Sequence, residues 1–287
     1  MINEQVKKII KAALSEDVGK KDITTAISFS TRVQGEGVII AKENGVLCGI
    51  KVAETVFKEI NEKIKFIPLK KDGDRVQISE KVACIKGDVQ AILTAERVAL
   101  NFLSLLSGVC TATAEVVSKV KATGVKILDT RKTTPILRIL QRYAVRVGGG
   151  YNHRYNLEKG ILIKDNHLHA GKFFINDKLN EDKFESLMKR MKKNTSLKVE
   201  IEVESMEEFR SVAKYRPDIV MLDNFSLKHL KESVVFRNKH FPKILIEASG
   251  GVNLKTVKAI ASCGVDFISI GSITHSSKAL DFSLEIL

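Results

Sequence analysis

Tryptophan is absent from the 287-residue chain, aromatics make up only 6% of it, and there are just four prolines and four cysteines. So few aromatics argue against the stacking platforms that bind single-stranded nucleic acid. The few prolines leave no Pro-rich linker, and no repeat or low-complexity tract is seen, so the chain reads as compact throughout. Cys48, Cys84, Cys110 and Cys263 are scattered with no CxxC pair. They read as small buried hydrophobes in a reducing compartment, not as a disulfide framework. No uninterrupted apolar run reaches about 18 residues, which argues against a transmembrane helix. The N-terminus, MINEQVKKIIKAALSED, spaces Ile2, Val6, Ile9 and Ala13 as a helix does, unlike a signal peptide. The expected home is the cytoplasm.

What is present is ordinary in amount, with 44% hydrophobic and 28% charged residues. At about 150 residues per domain the length allows two domains or one large one. The 47 Lys+Arg exceed the 34 Asp+Glu by +13. Such a balance suits nucleic acid, a membrane surface or small anions, and the placement of the charge must decide. The first hundred residues alternate a helix near 2–15, strands at Glu36–Lys42 and Arg75–Ile78, and a helix at Val52–Ile60. Turn signals at Glu43-Asn44-Gly45 and Lys71-Asp72-Gly73-Asp74 divide them, which predicts an antiparallel sheet with helices on one face. Leu93–Gly108 is a helix with an apolar stripe of Val98, Phe102, Leu105 and Val109. Its Arg97, Asn101, Ser104, Gly108 face is small or polar and invites close approach. From Gly124 the runs VKILD, GILIKD, VEIEV, DIVMLD, KILIEAS and DFISIG recur, with helices such as Asp182–Lys193 and Met206–Tyr215 between them. Alternating strands and helices predict parallel strands in an α/β layer or barrel.

The strands end in Asp129, Asp165, Glu202 or Glu204, Asp223, Glu247-Ala248-Ser249 and Gly271. A barrel places its active site at such ends, although one acid could equally cap the next helix. Arg131, Lys132, Arg138, Arg142, Arg146 and Arg154 occupy a window with no acid. Thr134 and Pro135 predict a helix start that puts Arg138 and Arg142 on one solvated face. Arg131-Lys132 at a strand end, and Arg154 after Gly148-Gly149-Gly150, suit a small, densely anionic substrate. Ser249-Gly250-Gly251, with Asn253 as cap of a helix at Leu254–Ser262, and then Ile270-Gly271-Ser272, resemble a barrel phosphate site. Glu202 and Asp223 read as a Mg²⁺ site with retained waters, while Glu200 and Glu204 share the strand face of Glu202 and one of the three could be structural. His167 and His169 make a poor zinc case without a third ligand. His153 and His275 each adjoin a glycine-marked anion loop.

The run DTRKTTPILRILQRYAVRVGGGYNHRYNLEKGILIKDNH closely resembles the signature of the quinolinate phosphoribosyltransferase family. EDVGKKDITT, GVLCGI, AERVALNFLSLLSGV, ASGGVN and IGSITHS extend the resemblance over nearly the whole chain. It implies an N-terminal α/β sandwich over 1–109, an incomplete parallel α/β barrel over 110–275, and a segment 276–287 returning to the first domain. It implies transfer of a phosphoribosyl group from phosphoribosyl pyrophosphate to quinolinate with decarboxylation, with Mg²⁺, in a homodimer or higher assembly. Arg131, His153, Arg154 and Lys164 would hold the quinolinate carboxylates, with Arg97 donated from a neighbouring subunit. Lys132 would lie at phosphoribosyl pyrophosphate, with Thr130 a further substrate contact, and Glu202 and Asp223 at the ribose and Mg²⁺. Ser249, Gly250, Gly251, Ile270, Gly271, Ser272 and His275 match phosphate-binding positions. Lys132, Glu202 and Asp223 are the expected catalytic residues. Ile136 stands where the family commonly has Gly, Gln141 where Glu is frequent, and Asn156 where Gly is frequent. A molybdenum-operon relative with another substrate is the competing reading; nucleic-acid and membrane binding are not expected.

Overall fold

The computed structural model describes residues 2–175 and 178–287. The chain divides into two compact units. The first takes in the chain through Ala114, then Lys132–Gly150 and Ile273–Leu287; the second is Glu115–Arg131 with Tyr151–Ser272.

In the first unit, Asn3 accepts from the Val6 N–H at 2.9 Å and starts the helix Glu4–Val18, which ends at Gly19 with φ 59°. The helix runs three residues past the expected end because no residue before Gly19 favours stopping. Ile50–Ile60 begins two residues earlier than its apolar spacing suggested. Asp72 Oδ1, arriving from a distant turn, accepts from Gly49 N and Ile50 N at 2.9 and 3.0 Å and caps it. The antiparallel sheet runs in the order Phe282–Ile286, Gln34–Ala41, Lys81–Asp88, Lys65–Pro68. Arg75–Ile78 is a strand only over Arg75–Val76, because Gln77 O accepts from Glu80 N in a turn with Ser79 at φ 68°. The buried sheet residues Val38, Ile39, Val82 and Ile85 and the buried helix residues Ile10, Val52, Val56 and Phe57 make up the core.

The helix expected at Leu93–Gly108 spans Val89–Val120, 32 residues. It is long and apolar enough to cross a bilayer by composition. Ile92, Leu103, Leu106 and Cys110 are nevertheless fully buried, as in the core helix of a globular domain.

The second unit holds a parallel six-stranded sheet in the order Lys126–Leu128, Phe267–Ser269, Leu245–Ser249, Ile219–Asp223, Val199–Val203, Ile161–Ile163. The first strand in sequence pairs with the last, while the first and second are not neighbours in this order. The barrel is therefore incomplete there, and a bridge between Leu128 and Tyr151 lies along its open edge. Helices Glu181–Asn194, Met206–Ala213 and Leu227–His240 cross between strands, capped by Asn180, Ser205 and Ser226. Asn253 was expected to cap the next helix. It instead opens a turn, accepting from Lys255 N, and the helix proper is Val257–Ala261.

Candidate active site

The cationic segment of the second unit is built on a buried acid. Asp129, fully buried, accepts from Asn152 Nδ2 at 2.6 Å and His153 N at 2.8 Å. With Tyr151 N donating to Ile127 O, this fastens Tyr151–Arg154 along the open barrel edge. Arg154 donates from Nη1 to Gly160 O at 3.0 Å. Among the described residues its buried Nε finds no acceptor. Burial holds the Arg154 guanidinium below its ordinary pKa, and the neighbouring Arg131 charge pushes the same way, with Glu200 opposing both. Two guanidiniums within reach of each other's charge, one with an unused buried N–H, form a site that an anion would relieve.

The carboxylates form two separate groups. Glu200 and Glu202 are both buried on the strand Val199–Val203, whereas Glu204 is exposed beyond its end and donates its N–H to Glu208. Lys164 Nζ lies 3.4 Å from Glu202. Burial raises the Glu202 pKa against the pull of Lys164, and the Asp223 and Asp165 charges add to the rise. Asp223 ends its strand and accepts from Asn224 Nδ2 at 2.7 Å. Asn224, at φ 56°, donates its N–H to Ser249 O and so ties this strand end to the Ser249-Gly250-Gly251 turn. Gly250 has φ 89°, and a Cβ there would sit 2.1 Å from Asn224 Oδ1, so the turn requires glycine. Ile270 N donates to Leu128 O and leads into Gly271 and the exposed Ser272.

Glu200 faces elsewhere. Its carboxylate lies 3.0 Å from His153 Nε2, and Glu247 lies 3.8 Å from the same nitrogen. His153 Nδ1 accepts from Arg154 N at 2.8 Å. The imidazole expected at a substrate carboxylate thus has one nitrogen on its own backbone and the other against buried acids. In the sequence Glu247 is one strand ending among six, and Glu200 is one of three glutamates of which at least one could be structural. Asn152 and Asn224 are missed; Asn224 carries a signal in its place beside the strand-end Asp223, whereas Asn152 lies 23 residues from the Asp129 it binds and carries none.

Lys132, His275 and Arg97 belong to the first unit. Thr274 Oγ1 donates to Lys132 O at 2.7 Å, and Gln141, fully buried, accepts from Thr134 N and donates to Thr274 O. This anchors the basic loop from behind. The predicted helix start at Thr134-Pro135 is not realised: Ile136 takes φ 69° and the helix is Arg138–Val147. Asn156 does not use left-handed backbone; its Oδ1 accepts from Glu158 N. His275 is exposed, its Nδ1 2.6 Å from Ser276 Oγ. Arg97 is 63% exposed beside Glu96. The small face expected to meet a partner is partly covered by the chain itself. A Cβ on Gly108 would lie 2.2 Å from Lys278 O, and Leu280 N donates to Ser104 O. The Arg97 end of that face remains exposed.

Residues 22–107 match the quinolinate phosphoribosyl transferase N-terminal domain and residues 109–285 its C-terminal domain. A probable nicotinate-nucleotide pyrophosphorylase (carboxylating) of Bacillus subtilis is 37% identical over 98% of this chain and 93% of its own. Its counterpart from Methanocaldococcus jannaschii is 38% identical over 100% and 99%. The structure of the nicotinate-nucleotide pyrophosphorylase from Francisella tularensis superposes with a TM-score of 0.90 at 36% identity, covering 100% of this chain and 98% of that one.

Proposed function

The chain belongs to the quinolinate phosphoribosyltransferase family, and we propose that it carries out the reaction its relatives are named for. The pyridine nitrogen of quinolinate attacks C1 of phosphoribosyl pyrophosphate, and the C1–O bond to pyrophosphate breaks. The C2–carboxylate bond then releases CO₂, its electron pair takes a proton, and nicotinate mononucleotide results, a precursor of NAD.

The observation that carries this reading is the Arg131–Arg154 pair with the unpartnered Arg154 Nε. A dicarboxylate supplies the acceptor that Arg154 Nε lacks and answers the Arg131 charge beside it, and Lys164 adds a third cation. Holding the ring against a polyanionic partner is most of the task, since orientation alone can contribute roughly 7–11 kcal/mol. Glu202 and Asp223 would stabilise the positive charge that grows at C1 as pyrophosphate leaves. Their all-oxygen donor set fits Mg²⁺. Burial raises the Glu202 pKa against the pull of Lys164, and the Asp223 and Asp165 charges add to the rise, so a cation between these acids would be favoured. Bound there, Mg²⁺ would neutralise charge on the leaving group. Lys132 and His275 are assigned to phosphoribosyl pyrophosphate by the family motif, as are the Ser249–Gly251 and Ile270–Ser272 turns, with Thr130 a further substrate contact. Arg97 is assigned in trans, in a homodimer or larger assembly. The four free cysteines suit a reducing cytoplasm.

Incubation with quinolinate, phosphoribosyl pyrophosphate and Mg²⁺ should yield CO₂ and nicotinate mononucleotide. Nicotinate should be a poor substitute, because losing one carboxylate leaves desolvated cations unpaired, at a cost of about 2–5 kcal/mol. Comparable kcat/KM for the two pyridines would overturn the selectivity, and no product from quinolinate would overturn the reaction.

A further inference from the structure

Two buried acids, Glu200 and Glu247, take no part in the reaction as derived, and both meet at His153, which the family motif places at a quinolinate carboxylate. His153, Glu200 and Glu247 each bring one atom within 4.8 Å of the others. Glu247 is fully buried, and among the described residues neither of its oxygens has a hydrogen-bond partner. Glu200 Oε1 and Ser269 Oγ are likewise buried without one. Something must offset two buried carboxylates, and a cation or a proton could do so.

The imidazole decides between them. With Arg154 N donating to Nδ1, the ring proton sits on Nε2 and points at Glu200. A metal would need the lone pair of that same nitrogen, so the group is not a cation site. Burial pushes the ring towards its neutral form, while the Glu200 hydrogen bond and both carboxylate charges pull further the other way. The backbone N–H at Nδ1 leaves no room for a second ring proton. The extra proton therefore belongs on a carboxyl group, and Glu247, fully buried and facing the Ser269 hydroxyl while Glu200 takes the ring N–H, is the place for it.

We propose that Glu247 works as a neutral carboxylic acid, a positioning residue that leaves the Glu200 carboxylate alone to take the His153 N–H and so holds the His153–Arg154 segment in place. The groups facing Glu247 are Glu200 from Val199–Val203, His153 from the loop after Tyr151, and the Ser269 hydroxyl from Phe267–Ser269. The strand Ile219–Asp223 offers Met221 at the paired position. Asp129 is turned to the backbone of the His153 loop, and the Arg154 charge reaches Glu200. Burial, with the adjacent Glu200 charge, pushes the Glu247 pKa up to about 8. Above that pH two charged carboxylates face one N–H, and their repulsion displaces the ring and the Arg154 backbone tied to it.

Two measurements on the full chain test this; only the second rests on the proposed reaction. Infrared spectra of the wild type should show the carbonyl stretch of a protonated carboxylic acid that fades as pH rises through about 8. Glu247→Gln should lack that component. In quinolinate turnover, wild-type kcat/KM should fall about tenfold per pH unit on the alkaline side, as for one essential acid. Glu247→Gln, the neutral isostere, should stay within about threefold of wild type at pH 7 and lose that alkaline limb. A missing band, a band retained in Glu247→Gln, or a folded Glu247→Gln with the wild-type alkaline limb would overturn the proposal. If Glu247→Gln does not fold, the wild-type titration decides. If the band behaves as stated but quinolinate is not turned over, the reaction falls and the neutral Glu247 stands.

Discussion

A β-branched side chain at positive φ is strained, and Ile136 at φ 69° is 78% exposed, so burial offers no compensation. The left-handed conformation costs roughly 1–2 kcal/mol outside glycine. Glycine there relieves the strain but loosens the unfolded chain by about 0.4–1 kcal/mol. Ile136→Gly should therefore raise stability by about 0.5–1 kcal/mol, read as a higher denaturant midpoint at unchanged slope. A lower midpoint would mean that the isoleucine side chain contributes a contact after all. Gln141 is the opposite case, since its carboxamide both accepts and donates in a fully buried setting. Gln141→Glu sets a carboxylate against Thr274 O, and one unsatisfied buried acceptor costs about 1–3 kcal/mol. The loss should be greater at pH 8 than at pH 5, because burial favours the protonated acid. Glu247 works through the same linkage. Its folded pKa lies above its unfolded value, so the stability it contributes is full below the unfolded carboxyl range and is lost as pH rises through about 8. Melting curves of Glu247→Gln should show a weaker decline than wild type over that window, and parallel curves would contradict the raised pKa.

At the level of elements, the six β-branched runs after Gly124 all became strands of one sheet. Parallel strands covered on both faces must be near-continuous apolar stretches, and such stretches are legible without tertiary information. The cations and acids proposed for the site stand out in the sequence for a related reason, because polar residues closing apolar strands have few structural duties. The Glu200–His153–Glu247 group was not. Glu200 and Glu202 share a strand face, and only the depth of each along the barrel turns one towards His153 and the other towards Lys164. The long helix was cut short in the reading at Ser107-Gly108, which resembles a stop. Gly108 is there for another purpose, the close passage of Lys278–Ala279. Thr113 then continues the helix with its hydroxyl on Val109 O at 2.8 Å. Gly108→Ala should raise helix propensity by about 1 kcal/mol in isolation. In the folded chain its Cβ strikes backbone, and overpacking costs about 1–3 kcal/mol, so a net loss of stability is expected. A stabilised variant would show that the C-terminal segment yields without cost.

For the whole molecule, the last question is whether one chain completes its own site. Its excess of +13 does not decide this, since much of that charge is solvated lysine. Arg97 does bear on it. The Gly108 end of its helix face is covered by the chain's own C-terminal segment, yet Arg97 itself stays 63% exposed, with Glu96 at 3.9 Å. Neighbours in sequence on a helix do not face one another, so that pair holds the guanidinium weakly. A long, exposed Arg on a rigid helix is suited to reach another subunit, and in a two-fold dimer each chain would give one and receive one. Arg97→Ala and Lys132→Ala should each be nearly inactive alone, for different reasons, while both fold, since neither side chain is buried. After mixing with subunit exchange, random pairing puts about half of the chains in heterodimers. If Arg97 acts in trans, each heterodimer has one site carrying both defects and one carrying neither. Activity should then return to about a quarter of wild type. If Arg97 serves its own barrel, every site keeps one defect and nothing returns. Mass spectrometry of the mixed sample establishes the exchange, so silence in the assay would place Arg97 in its own subunit's site or in none.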